Sequence, residues 1–129
     1  MIVNQLAIYT QNDKGNVHNI LRILGEHKIN ILSLFLADTE DFGILRLVTE
    51  DNKKAQDVLT QEGYMTVLTD LLSITVKNEP GDLEKILKKL ADNQINIEYM
   101  YSYTKDGNTN ILIKTDDLET TENSLKEQK

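Results

Sequence analysis

Apolar and polar positions along the chain fall into two alternating kinds of run, one with the period of a strand and one with the period of a helix, and the series occurs twice. "QLAIYT" (5–10) and "LLSITV" (71–76) alternate and are rich in strand formers, so each predicts a first strand. A glycine follows each, Gly15 and Gly81. Then Val17, Ile20, Leu21 and Leu24, or Leu83, Ile86, Leu87 and Leu90, recur at the spacing of one helix face. "INILSLFLA" (29–37) and "INIEYMYSY" (95–103) read as second strands, and "GILRLVT" (43–49) and "NILIKT" (110–115) as third strands. The links are "DTEDF" and "TKDGNT", in which Asp106-Gly107 is a hairpin signal. Asp51 or Asn52 can cap a second helix bearing Ala55, Val58 and Leu59 and ended by Gly63, and "YMTVLT" (64–69) makes a fourth strand.

Shifted by 66 residues the sequence matches itself without a gap at 13 of the 54 positions from Leu6 to Leu59. Most matches are apolar, but the pairs Asn12/Asn78, Gly15/Gly81 and Asn30/Asn96 are not explained by shared hydropathy, and they indicate a tandem repeat. The element order of each unit is strand, helix, strand, strand, helix, strand. The expected fold class is therefore α+β: two ferredoxin-like βαββαβ units, residues 1–70 and 71–129, with antiparallel sheets joined edge to edge and helices on one face. The second unit is incomplete, because Lys129 aligns with Gly63: either the sequence is cut short, or this unit has no last strand. Strand 71–76 would then be an exposed edge open to another chain, an expectation of homo-oligomers, most simply a dimer.

Composition narrows the chemistry. A net charge of -7 and an isoelectric point near 4.8 exclude the basic stripe that nucleic acid requires, and disfavour an anionic membrane surface. No cysteine is present, so disulfides, thiol nucleophiles and thiolate metal sites are absent. The N-terminus has no signal-peptide pattern and no apolar run reaches the roughly 20 residues of a membrane span, so the expected setting is the cytoplasm.

Catalytic constellations are lacking. His18 and His27 have no carboxylate or second histidine at ligand spacing. Asp38, Glu40 and Asp41 cluster in a loop and read as solvated acids, with a divalent ion as the sharper alternative. Tyr99, Tyr101 and Tyr103 share a strand face, suited to a partner surface or to stacking on a ligand. No cofactor motif occurs, and the chain is expected not to be an enzyme.

The corner between first strand and helix is the place that can hold something. A helix N-terminus offers free N–H groups and partial positive charge to a carboxylate, and glycine leaves the approach open. Asn12 and Asn78 offer both a donor and an acceptor. The plainer reading is that glycine makes the turn and asparagine caps the helix.

"KNEPGDLEKILKKLADNQINIEYMY" (77–101) resembles the opening of an ACT domain: a strand, Asn-x-Pro-Gly-x-Leu, a helix, then a second strand opening on Ile-Asn-Ile. The first unit departs at Lys14 and Val17, where proline and leucine are usual. "ADTEDFGILRLVTED" (37–51) further resembles stand-alone tandem ACT proteins, so the resemblance covers nearly the whole chain. It implies an amino-acid-binding regulatory module, with units joined through their second strands and the ligand near the join. One pocket would use Asn12, Asp13, Lys14 and Gly15 with Asn96, and the other Asn78, Glu79, Pro80 and Gly81 with Asn30. The second corner keeps the family pattern and is expected to be the better site. The implied function is a non-enzymatic sensor of a small amino acid acting on a partner such as a metabolic enzyme. The alternative is a ligand-independent regulatory subunit of an amino-acid biosynthetic enzyme. Ile31 and Leu32 suggest a sheet face covered by another subunit.

Overall fold

The structure is a computed structural model that describes residues 1–11, 15–38, 42–77 and 79–126. Its elements run β1 (Ile2–Gln11), α1 (Asn16–Glu26), β2 (Ile31–Asp38), β3 (Phe42–Thr49), α2 (Asn52–Gln61), β4 (Met65–Val76), α3 (Asp82–Asp92), β5 (Ile97–Lys105), β6 (Asn108–Thr115) and α4 (Leu118–Lys126). This is the α+β, twice-repeated ferredoxin-like pattern the sequence predicts. The chain divides into an N-terminal unit, Asn4–Thr69, and a C-terminal unit, Met1–Val3 with Asp70–Lys129. The predicted fourth strand of the first unit and first strand of the second are one strand, β4.

The N-terminal unit has strand order β2-β3-β1-β4. Leu6 and Ile8 pair with Leu47 and Leu45 in antiparallel register. These four pack with Ile20, Ile23, Leu24, Ala55 and Leu59 in one core, against which Tyr64 and Leu68 also pack. The alternation of the strands puts every second residue on the side of the helices, where the 3.6-residue faces of α1 and α2 meet it. Burying each such side chain contributes about 1.5–3 kcal/mol.

Both second strands carry a register shift near their start, between Ile31 and Ser33 and between Ile97 and Tyr99. A bulge adds one residue and so inverts the alternation. Ile31 therefore packs on the core of its own unit, and Leu34 and Leu36 pair with core residues Leu47 and Leu45. Of the two residues that suggested a covered sheet face, Ile31 packs on its own core and Leu32 is half-buried, while the large apolar side chains exposed on β2 are Leu34, 51% exposed, and Leu36, 47% exposed.

In the C-terminal unit β4 neighbours β6, and β6 neighbours β5. Val76, Leu90, Ile111 and Ile113 form the buried core, with Ile74, Leu83, Ile86, Leu87, Ile95, Ile97, Met100 and Leu125 half-buried around it. No strand follows α4 among the described residues. The edge of β4 is nevertheless not left open as the sequence suggested. Met1 and Ser73 exchange both backbone hydrogen bonds, the Ser73 N–H donating to the Met1 carbonyl at 2.8 Å and the Met1 nitrogen to the Ser73 carbonyl at 3.3 Å. Such a double exchange marks an antiparallel pair. β1 runs ten residues where the alternating pattern marks six, and its exposed start gives no hydropathy signal of where it pairs.

The repeat thus yields two unequal cores. Ile20 is fully buried while its counterpart Ile86 is half-buried. Ile20→Ala is expected to cost about 2–5 kcal/mol. Ile86→Ala is expected to cost about 1–2 kcal/mol, because part of that side chain already meets water. Urea unfolding of the two variants measures the difference, and equal losses would contradict it.

Candidate functional site

Four helices start in two different ways. α2 and α4 carry their own carboxylate caps. The Lys54 N–H donates to Asp51 Oδ1 at 3.0 Å, so Asp51 rather than Asn52 is the cap. Asn52 instead joins β1 to the end of β3, accepting from the Thr49 N–H and hydroxyl at 2.8 Å and donating to Asn4. At α4 the Thr120 N–H donates to Asp117 Oδ1 at 3.0 Å and its hydroxyl to Oδ2 at 2.6 Å. The Thr120 hydroxyl, and after it the backbone N–H groups, hold the Asp117 carboxyl below its ordinary value of 3.8.

α1 and α3 start differently. The cap position is the glycine itself, Gly15 at φ 86°, ψ -5° and Gly81 at φ 90°, ψ -14°, and among the described residues no side chain caps either helix. Both are left-handed conformations that a residue with a Cβ adopts at a cost of about 1–2 kcal/mol. A Cβ placed on either glycine would meet nothing within 4 Å. The glycines are therefore needed for the turn, and the space in front of them is open. Glycine makes the turn, as the plainer reading has it; the asparagines that reading assigns as caps, Asn12 and Asn78, lie outside the described residues.

The second corner follows turn chemistry. The Asp82 N–H donates to the Glu79 carbonyl at 3.3 Å, with Pro80 and Gly81 between them. Proline followed by a glycine near φ +80°, ψ 0° is the signature of a type II turn. Glu79, Pro80 and Gly81 are thus brought together on an exposed corner. Asn12, Asp13, Lys14 and Asn78 lie outside the described residues, as do Glu40 and Asp41 of the acidic loop. Among the described residues no group of three or more His, Asp or Glu could hold a metal.

Asn30 and Asn96 are exposed and stand just before β2 and β5. Asn30 closes the end of the β2–β3 pair, its carbonyl accepting the Glu50 N–H at 3.1 Å and its side chain reaching Glu50 at 3.4 Å. Neither asparagine lies near the corner of its own unit. β1 ends at Gln11 opposite Phe42, whereas β2 starts at Ile31 opposite Thr49, so seven residues of β3, about 23 Å, separate the two ends. In the C-terminal unit Val76 lies opposite Thr109 and Ile97 opposite Thr115, a separation of six residues of β6, about 20 Å.

The corners also differ electrostatically. α3 places Asp82 and Glu84 in its first turn, while α1 has no acid there. Beside the first corner lies a cavity of about 330 Å³ lined by Tyr9, Thr10, Gln11, Asn16, Gly63, Tyr64 and Met65. Asn16 is held there by donating to the Gln11 carbonyl at 2.9 Å, and Tyr64 by accepting from Asn19 at 2.7 Å. Sequence reasoning missed this wall, since Tyr64 and Met65 come from the far end of the unit. A larger cavity of about 600 Å³ lies between α2, from Lys53 to Gln61, and residues 64–66, sharing Tyr64 and Met65 with the first.

Comparison with known proteins places these features in a family. The family model described as an ACT domain pair matches residues 1–129. Protein BT0572 from Bacteroides thetaiotaomicron is 33% identical, with a TM-score of 0.91 covering 99% of this chain and 89% of that one. The fold is shared with the ligand-free regulatory subunit of aspartate kinase from Thermus thermophilus, at 14% identity, TM-score 0.63, and 98% and 96% coverage. The Thermus flavus regulatory subunit is 16% identical with the same TM-score, covering 98% of this chain and 92% of that one. No curated protein matches.

Two outcomes follow from the caps. Gly81→Ala is expected to lose about 1–2 kcal/mol from backbone strain alone, and Gly81→Asn less, since asparagine tolerates the left-handed region; equal losses in urea unfolding would point to another cause. Asp117→Ala is expected to lower stability at neutral pH. The folded carboxyl titrates below its unfolded value, so its stabilisation is present above the unfolded value and is lost as pH falls through the folded one. Parent and variant melting curves should therefore converge in acid, and a gap that widens in acid would contradict the assignment.

Proposed function

The chain belongs to the ACT domain pair family, and from that premise we propose that it is a non-enzymatic sensor that binds a small amino acid at its glycine corners and signals through a change in assembly. The observation that carries the proposal is the contrast between helix starts. α2 and α4 use an aspartate of the chain at the N-terminus, whereas α1 and α3 present an open glycine corner with no side-chain cap among the described residues. A ligand carboxylate supplies what is missing, worth about 0.3–2 kcal/mol from the helix dipole alone.

The pockets are proposed as Asn12, Asp13, Lys14 and Gly15 with Asn96, and Asn78, Glu79, Pro80 and Gly81 with Asn30. Since no single unit brings its corner near its own strand-entry asparagine, a complete pocket takes its second half from outside the unit, and binding is coupled to assembly. Electrostatics favour the Gly15 corner for a carboxylate, because Asp82 and Glu84 repel one at Gly81. The proposed setting is the cytoplasm; among the described residues no helix is long and apolar enough to cross a membrane. The proposed partner is an enzyme of amino-acid metabolism, where such a signal has its use.

One observation favours a second reading, a subunit that assembles without ligand. Leu34 and Leu36 stand exposed on β2, the outermost strand of its unit, a surface suited to a further copy of the chain.

Thermal unfolding with each of the twenty amino acids separates the two. A bound ligand at 100 times its Kd adds about 2.7 kcal/mol, several degrees for a domain of this size. The sensor reading expects a shift for one or a few amino acids, lost in Asn30→Ala or Asn96→Ala. No shift for any, with a stable dimer that Leu34→Lys dissociates, would favour the assembly subunit.

A further inference from the structure

The C-terminal unit holds a cavity of about 400 Å³ between β4, α3 and α4, with an apolar floor of Leu72, Ile74, Ile86 and Leu125 and with Lys89, Glu122 and Lys126 among its lining. The repeat shows how unusual it is. The floor residues correspond to Leu6, Ile8, Ile20 and Leu59 of the N-terminal unit, all fully buried, where Tyr64 and Leu68 pack over the core. No described residue of the C-terminal unit corresponds to those two.

The mouth differs in kind as well. Lys89 stands where the sister unit has Ile23, only 3% exposed. Lys126 stands where it has Thr60, whose hydroxyl meets that of Thr66 at 3.1 Å and ties α2 to β4. Two apolar or neutral positions that close one unit have become cations around an open cavity in the other. Among the described residues Glu122 is the one acid of the lining, and it lies 3.6 Å from Lys126 and 3.4 Å from the Met1 amino group, which also lines the cavity. The volume falls in the range of small-molecule sites, which pair apolar walls with a few polar groups that fix orientation.

From this pairing of an apolar floor with a lysine-rich mouth we infer that the cavity binds a small amphiphilic carboxylate, an alkanoate of about four to eight carbons in keeping with its volume. The hydrocarbon lies on Leu72, Ile74, Ile86 and Leu125, and the carboxylate meets Lys89 and Lys126. The site is separate from the glycine corners, and the ligand needs no amino group.

The test is a titration of the full-length, isotope-labelled chain with hexanoate, and in parallel with hexanol and hexylammonium, followed by amide resonances. Saturable shifts at Ile74, Ile86, Lys89 and Leu125 are expected for hexanoate, with hexylammonium at least about tenfold weaker, the scale of one charge-assisted contact. Lys89→Ile, which restores the residue of the sister unit, is expected to weaken hexanoate about tenfold without weakening hexanol. Lys126→Thr provides the same comparison if the first variant does not fold. Absence of saturable shifts up to tens of millimolar would overturn the inference, as would equal binding of all three compounds. So would shifts confined to the corners, or cavity resonances that respond to protein concentration instead of hexanoate. Because hexanoate is not an amino acid, either site can fail while the other stands.

Discussion

Each unit has to turn its chain from the end of a strand into a helix that lies back across the same sheet, and it has to do so in a few residues. Gly15 and Gly81 make that reversal at φ near +90°, a conformation that side chains with a Cβ resist. The direction in which α1 and α3 leave the corner decides whether Ile20 or Leu90 reaches the strands beneath. The same geometry leaves open space at both glycines, beside helix N-termini whose first N–H groups have no partner within the helix; in α3 the Asp82 N–H is taken by the Glu79 carbonyl. A constraint on the backbone and an opportunity for an anion thus share one residue. That is why the corner can be read as structural and as functional without contradiction.

The duplication shows how one pattern gives unequal results. The N-terminal unit is completed by β4, whose Leu68 packs with Tyr64 on a fully dehydrated core. The C-terminal unit has Met1 beside Ser73 at the corresponding strand edge, and its floor remains partly open. Polar changes follow the openness: Ile23 becomes Lys89, and Thr60 becomes Lys126. Buried positions tolerate few substitutions, whereas positions at a mouth are released to carry charge.

Strands, helices and their repetition were legible because periods of two and of 3.6 survive in Leu6/Ile8 and Val17/Ile20/Leu24. The turn at Pro80-Gly81 was legible because few residues can make it. The pairing of Met1 with Ser73 was not, since backbone hydrogen bonds at a strand end leave no trace in side-chain pattern. Nor was the bulge after Ile31, a shift of strand register that side-chain alternation does not reveal. The glycine half of each proposed site could be read as local chemistry. The separation of Asn30 from its own corner could not, because it depends on strand register.

The central claim is that the glycine corners receive a ligand carboxylate. Its most direct measurement is the amide spectrum of residues 16–18 and 82–84 as an amino acid that raises the melting temperature is added. The account predicts saturable downfield shifts of these first-turn N–H groups, larger at α1, whose first turn holds no acid. Saturable binding that leaves both sets of amides unmoved would contradict it.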